Sequence, residues 1–163
     1  MNAAIQLVLV TPEIPANTGN IVRLCAATGI PLHLVEPLGF SWDDRVLKRA
    51  GLDYWELCQI RRHLTFDVLE PQAKRCRFLT AHAEHSFFDA QVEPGDFLVL
   101  GPESEGLSQG FLDHNNRREH TYRIPMPGEK NGRSVRSLNL STAAGIVVYE
   151  SLRQLGRLEA CQT

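Results

Sequence analysis

Two Arg-Ser pairs, Arg133-Ser134 and Arg136-Ser137, stand in a polar, glycine-bearing loop just ahead of the longest helical pattern in the chain. That loop offers guanidinium, hydroxyl and backbone N–H groups together. Three more stretches carry residues suited to ligand contact: Leu79-Thr80, Gly101-Pro102-Glu103 and Ile124-Pro125-Met126, each ending a short apolar run. A parallel sheet presents ligands at the carboxyl ends of its strands. Gly101 lets another group approach the backbone closely, and Pro102 and Pro125 stiffen the turns. The same residues also make tight strand exits in any α/β protein, so both readings stand at this point. His82 and His85 have H-x-x-H spacing without a further ligand nearby, and no metal site is expected. No G-x-G-x-x-G follows the first apolar run and no Walker loop occurs, so nicotinamide dinucleotide and NTP chemistry find no support.

These stretches need a frame to hold them. Residues 4–10 read as a strand, and residues 11–18 as a loop with two prolines. A helix over 19–28 follows, with Ile21, Leu24, Cys25 and Thr28 inward and Asn17 or Thr18 placed to cap it. Residues 32–35 form a second strand. Asp43 or Asp44 opens a short basic helix bearing Arg45, Lys48 and Arg49, which stops at Gly51. Residues 54–60 read as a third strand, and 64–73 as a helix interrupted near Pro71. Strands over 77–81, 96–100 and 120–124 and a short helix over 108–114 complete the middle of the chain. Ser137 sits where an N-cap is wanted for the last helix, along which Leu138, Leu140, Ala144, Val147, Val148, Ser151, Leu152 and Leu155 repeat at helical spacing. Strands alternating with helices predict an α/β fold with a mostly parallel sheet covered by helices on both faces. Ala143, Gly145 and Ile146 widen the apolar sector of the last helix beyond one core-facing stripe. Small side chains permit close approach of a second copy, so the Ala143-Ala144-Gly145 flank is expected to form a twofold homodimer interface.

At 163 residues the chain fits one domain spanning 1–163, and 43% hydrophobic with 22% charged residues is ordinary for a soluble protein. No run is apolar enough to span a membrane, and no signal peptide precedes the first strand, so a cytoplasmic location is expected. Cys25, Cys58, Cys76 and Cys161 are scattered and read as reduced, mostly buried thiols. The net charge of −2 argues against a strongly basic nucleic-acid binder but not against RNA, because phosphate attraction depends on local patches. Of 17 basic residues, 14 are Arg and 3 are Lys, which suits phosphate and base contacts and equally fits a compositional bias. The pairs Arg61-Arg62, Arg75-Arg77 and Arg117-Arg118 read as solvated faces, some of which meet an RNA backbone.

Three ordered motifs then resemble those of SPOUT-class (TrmH-like) RNA 2′-O-methyltransferases. The first is Pro15-Ala16-Asn17-Thr18-Gly19-Asn20-Ile21-Val22-Arg23; the second runs from Val99 to Ser108 around Gly101-Pro102-Glu103. The third is Ile124-Pro125-Met126 followed by Arg136-Ser137-Leu138-Asn139-Leu140-Ser141. Leu34-Val35-Glu36-Pro37-Leu38-Gly39-Phe40 and Arg49-Ala50-Gly51-Leu52-Asp53-Tyr54 are most similar to the tRNA cytidine/uridine-34 2′-O-methyltransferase subfamily. That resemblance implies a C-terminal trefoil knot, S-adenosyl-L-methionine as methyl donor with S-adenosyl-L-homocysteine as product, and tRNA as substrate. It implies cofactor contacts at Leu79, Gly101, Ile124, Ser137 and Leu138, and places Arg23, Asn17 and Tyr149 in the catalytic group. No metal and no protein partner is implied.

Within the resemblance Arg23 lies near the target nucleotide, with Asn17 and Asn20 orienting it or the ribose. An arginine guanidinium stays protonated far above neutral pH, so a clamp on phosphate suits it better than a part as base. Glu103 is expected to accept loop N–H bonds, and Tyr149 to face a dimer-side pocket. The loop over 127–135 is longer than the subfamily's. A 2′-O-methyltransferase for another tRNA or rRNA position, a non-catalytic RNA-binding factor on the same fold, and a flavodoxin-like nucleotide-binding module are the alternatives.

Overall fold

Ile5–Val10 (β1) is the central strand of a six-stranded, all-parallel sheet with the order β3-β2-β1-β5-β4-β6. In the computed structural model, residues 4–43, 45–51, 54–73, 75–128 and 135–158 are described. The other strands are β2 (Leu32–Val35), β3 (Ile60–His63), β4 (Cys76–Leu79), β5 (Asp96–Leu100) and β6 (Thr121–Tyr122). Five α-helices accompany them: α1 (Pro15–Thr28), α2 (Arg45–Gly51), α3 (Phe66–Leu69), α4 (Gln109–Asp113) and α5 (Leu140–Gln154). Strands buried on both faces need apolar residues at nearly every position, and β1 and β5 meet that need. Ile5, Leu7 and Leu9 pack with α1 and α5, through Ile21, Cys25, Ala144 and Val148. Val8 and Val10 pack on the other face with Phe66, Leu69, Phe78 and Leu112, under α3 and α4. Cys25 and Cys58 are buried free thiols and Cys76 is a half-buried one.

Several boundaries differ from the sequence reading for identifiable reasons. Residues 54–60 do not form a strand: Trp55–Leu57 is a 3-10 turn, closed by Cys58 N–H bonds to the carbonyls of Tyr54 and Trp55, and β3 begins only at Ile60. α1 begins at Pro15, not at residue 19, because proline lacks the N–H that a first helical position leaves unbonded. Asn17 and Thr18 therefore lie inside that helix and do not cap it. α5 begins at Leu140, with Asn139 and not Ser137 as its cap. Only Thr121–Tyr122 joins the ladder as β6, which Arg123 continues by a single bridge to Ser86.

In two of the arginine pairs one member is buried. Arg77 is 7% exposed and donates to Asp96 at 3.2 Å, to Tyr122 Oη at 2.7 Å and to the Gln91 carbonyl at 2.6 Å. That fan ties the start of β5 to β6. Arg117, 3% exposed, lies between the Phe66 and Phe111 rings and donates to Asp67 and Glu70. The expected dimer flank also changes. Ala144 is fully buried in the core, and the outward flank of α5 is instead Gly145, Ile146 and Tyr149. Lys130, Arg133-Ser134, Leu52-Asp53 and Cys161 fall outside the described residues.

A polar chain crosses the sheet beside the apolar layer. His33 Nε2 meets Gln6 Oε1 at 2.8 Å and His33 Nδ1 meets His63 Nε2 at 2.9 Å. Burial, with His63 and Arg61 close by, holds the His33 imidazole neutral and lowers its pKa from 6.5 to about 4. The unfolded chain binds this proton near pH 6.5, whereas the folded chain resists it. Stability should therefore fall as pH drops from about 6.5 towards about 4, by about 3 kcal/mol in total. Urea unfolding across that window should show this slope, and His33→Gln should flatten it.

Candidate active site

Ile14 at the cap position of α1 brings no side-chain acceptor, and the Asn17 and Thr18 N–H groups bond the Ile14 carbonyl. Glu103, from the loop after β5, holds the two residues that lead into the helix. Its carboxylate accepts from the Glu13 N–H at 2.7 Å, the Ile14 N–H at 3.1 Å and Asn17 Nδ2 at 3.0 Å. A negative charge at this end also matches the helix dipole. Glu13 returns the contact, its carboxylate accepting from the Ser104 N–H and hydroxyl, each at 2.8 Å. Asn17, 6% exposed, then passes the connection on, since its Oδ1 accepts from Asn139 Nδ2 at 3.0 Å. Asn139 caps α5 by accepting from the Ser141 N–H at 2.9 Å and the Thr142 N–H at 3.4 Å. One chain of hydrogen bonds thus joins the segments after β1, after β5 and before α5.

The carboxyl ends of β4, β5 and β6 lie side by side, because Leu79 pairs with both Leu100 and Tyr122. Leu79, Gly101 and Ile124 therefore fall at one end of the sheet. A side chain at Gly101 would put its Cβ 2.4 Å from the Leu107 nitrogen and 2.5 Å from the Gly106 carbonyl carbon. The first demand for glycine there comes from the fold-back of its own loop, closed by the Gly106 N–H to the Pro102 carbonyl at 2.9 Å. Glu103 turns its charge into α1, so this end of the sheet offers backbone groups and the apolar side chains of Leu79 and Ile124. That chemistry fits an adenine and its ribose. Leu138 is half-buried and Ser137 exposed, both ahead of the α5 cap. Among the described residues, no group of three His, Cys, Asp or Glu side chains could hold a metal ion.

Of the residues expected to act on substrate, Asn17 belongs to that network, and Arg23 and Tyr149 lie apart from it. Arg23 is exposed on α1, its guanidinium 5.1 Å above the Tyr54 ring, and Asn20 is exposed one turn earlier. Asn17 faces inward, and both ends of its amide are engaged with Glu103 and Asn139. Tyr149 is 48% exposed on the outer flank of α5. The structure thus brings Asn17 to Glu103, and Leu79 to Gly101 and Ile124. Sequence reasoning missed Asn139, although an Asn directly before an apolar helical run is itself a cap signal. It also missed Tyr54 as the platform under Arg23, because residues 54–60 were expected to form a strand.

The SpoU rRNA Methylase family matches residues 4–149. The chain belongs to that family. A tRNA (cytidine(34)-2′-O)-methyltransferase of Escherichia coli (strain K12) is 46% identical over 154 residues, covering 93% of this chain and 94% of the relative. A solved structure described as giving insights into the 2-OH methylation of C/U34 on tRNA superposes with a TM-score of 0.84. It shares 44% identity and covers 93% of this chain and 96% of its own. The SpoU methyltransferase AviRb of Streptomyces viridochromogenes, solved with AdoMet, shares the fold at 21% identity and a TM-score of 0.75, covering 95% of this chain and 59% of that one. In a SpoU methylase the three segments tied here carry the family motifs, so the Glu103 network fixes the motifs relative to one another. Glu103→Ala should lower stability by about 2 kcal/mol in urea unfolding, since it strands two backbone N–H groups and the Asn17 amide. Glu103→Gln, which keeps an acceptor, should lose less.

Proposed function

We propose that this chain, as a single domain over 1–163, methylates the 2′-hydroxyl of the wobble cytidine or uridine of tRNA in the cytoplasm, as a homodimer with a knotted C-terminal segment. The observation that carries this reading is the near full-length identity with the Escherichia coli enzyme. The threading draws support from the connection between β4 and β5, which is gripped twice. Arg123, after β6, exchanges backbone bonds with His85 and Phe87, and Gln154 at the end of α5 accepts from the Val92 N–H at 3.0 Å. The flank of half-buried Gly145 and Ile146 and exposed Tyr149 supports the twofold contact. Among the described residues no helix is long and apolar enough to cross a membrane.

S-adenosyl-L-methionine would supply an activated methyl group. The backbones of Leu79, Gly101 and Ile124 would hold its adenosine, with Leu138 and the Ser137 hydroxyl as further contacts. Arg23 clamps a phosphate of the target nucleotide with its planar fork, which lowers the cost of negative charge developing on the ribose oxygen. The hydroxyl proton leaves to that phosphate or to water. Asn17 is a positioning residue that sets the angle from which α1 projects Arg23. Tyr149, on the outer flank of α5, stands where a partner copy's pocket would meet it.

Calorimetry should show micromolar binding of S-adenosyl-L-methionine or S-adenosyl-L-homocysteine, about −8 kcal/mol. No heat with either ligand would remove the enzyme reading. Light scattering should give about twice the 18.3 kDa chain mass. Arg23→Lys keeps the charge and loses the fork, so single-turnover methylation of tRNA should fall about a hundredfold to a thousandfold while cofactor affinity holds. Near-normal turnover in this variant would mean that charge alone suffices.

A further inference from the structure

Beside Arg23 the surface carries an alternation of aromatic rings and guanidinium groups that the methyl-transfer site does not use. Arg23 lies over Tyr54; the next residue, Trp55, meets Trp42 edge-on at 5.3 Å; and Arg62 lies 5.2 Å over the Trp42 ring. Trp42 and Trp55 rest one side on the core and are half-buried, so their remaining surface is open. Arg45 and Arg49 of α2 are exposed on the neighbouring element. The shelf is also tied to the site. The Gly39 N–H donates to the Pro12 carbonyl at 2.9 Å, and a Cβ at Gly39 would stand 2.7 Å from Glu13 Cα. The loop that carries Trp42 therefore packs directly on the segment that Glu103 anchors.

We propose that the Trp42–Trp55–Arg62 shelf binds an unstacked nucleobase next to the methylated nucleotide in single-stranded RNA. The inference rests on the tRNA methylation reading and adds to it a second base subsite. Ring faces stack on any base, and guanidinium groups beside them meet the adjoining phosphates. A protein partner would find little here to match so many cations in an otherwise acidic chain. One guanidinium is already answered, since Glu36 accepts from Arg62 Nε at 2.8 Å. This pairing fixes the Arg62 plane over Trp42 and leaves Arg45 and Arg49 for phosphate.

The chain has two tryptophans, and both belong to the shelf, so tryptophan fluorescence, excited selectively over tyrosine, reports on it alone. A tRNA anticodon stem-loop titrated into wild-type protein should quench this fluorescence saturably. Abasic replacement of one loop nucleotide flanking the target should weaken wild-type binding roughly tenfold to a hundredfold. The same replacement should cost Trp42→Leu much less, with calorimetry of S-adenosyl-L-homocysteine showing that the variant is folded. Should Trp42→Leu fail to fold, Arg62→Gln and the abasic scan on wild type carry the test. Binding without quench, or abasic penalties equal in wild type and variant, overturns the proposal. Loss of dimerisation in Trp42→Leu with undiminished abasic penalties would put a second copy of the chain on the shelf and overturn it equally. Methylation of the same stem-loop is followed in parallel. Quench without methylation upholds the shelf and sinks the methyl-transfer reading, whereas methylation without quench does the reverse.

Discussion

The structure around the candidate site depends on one carboxylate. Glu103 lies 90 residues along the chain from the Glu13 N–H it accepts, yet it holds the segment that leads into α1. A helix beginning with proline and preceded by isoleucine brings no side-chain acceptor of its own. The long-range bonds to the Glu13 and Ile14 N–H groups and the Asn17 amide therefore fix the entry to the helix, and they do so only when the loop after β5 is in place. The reciprocal contact from Glu13 to Ser104 closes the pair of loops on each other. From there Asn17 and Asn139 carry the same connection into α5, on which the C-terminal part of the sheet end depends.

Around this junction the polar residues divide into two groups. Asn17, Arg77, Arg117 and Asp96 are buried and saturated with partners, so they act as internal struts. Arg23, Arg45, Arg49 and Tyr149 are exposed. Such a division reconciles a net charge of −2 with an RNA substrate. Glu13 and Glu103 spend their charge on backbone N–H groups, and Asp96 spends its charge on Arg75 and Arg77. The formal charge counts these carboxylates in full, although they contribute little to the field that a phosphate would meet at the exposed arginines.

Features set by local pattern were legible in the sequence. Asp96–Leu100 and Leu32–Val35 are apolar runs bounded by breakers, and both strands lie where expected. The small α4 helix starts behind Ser108, a cap readable from type and place. What escaped the sequence was set by distant partners. The segment leading into α1 is held by Glu103, which no local window contains. Residues 54–60 carry strand-forming side chains, but the Tyr54 and Trp55 carbonyls close a turn instead, leaving Leu57 68% exposed. Arg77 and Arg117 look like surface residues by type, and only the tertiary placement of Asp96 and Glu70 makes their burial tolerable. Of the candidate site, the strand-end residues were legible from the general behaviour of parallel sheets. The proposed catalytic group rests on the family resemblance alone.

The junction is polar where an apolar contact would also have held three segments together. Leucines in Asn17 and Asn139 positions could slide past one another by an ångström at small cost, because dispersion contacts have shallow, non-directional minima. An amide between a carboxylate and a second amide has no such freedom. Moving Asn17 by that amount would break the 3.0 Å bonds on both sides and leave buried donors unpaired, which is far more costly than lost packing. Methyl transfer is an in-line displacement in which a misplacement of about 1 Å can cost a hundredfold in rate. A buried Asn at the crossing of the three motifs supplies positional stiffness of the kind that chemistry requires, and it does so without touching the substrate.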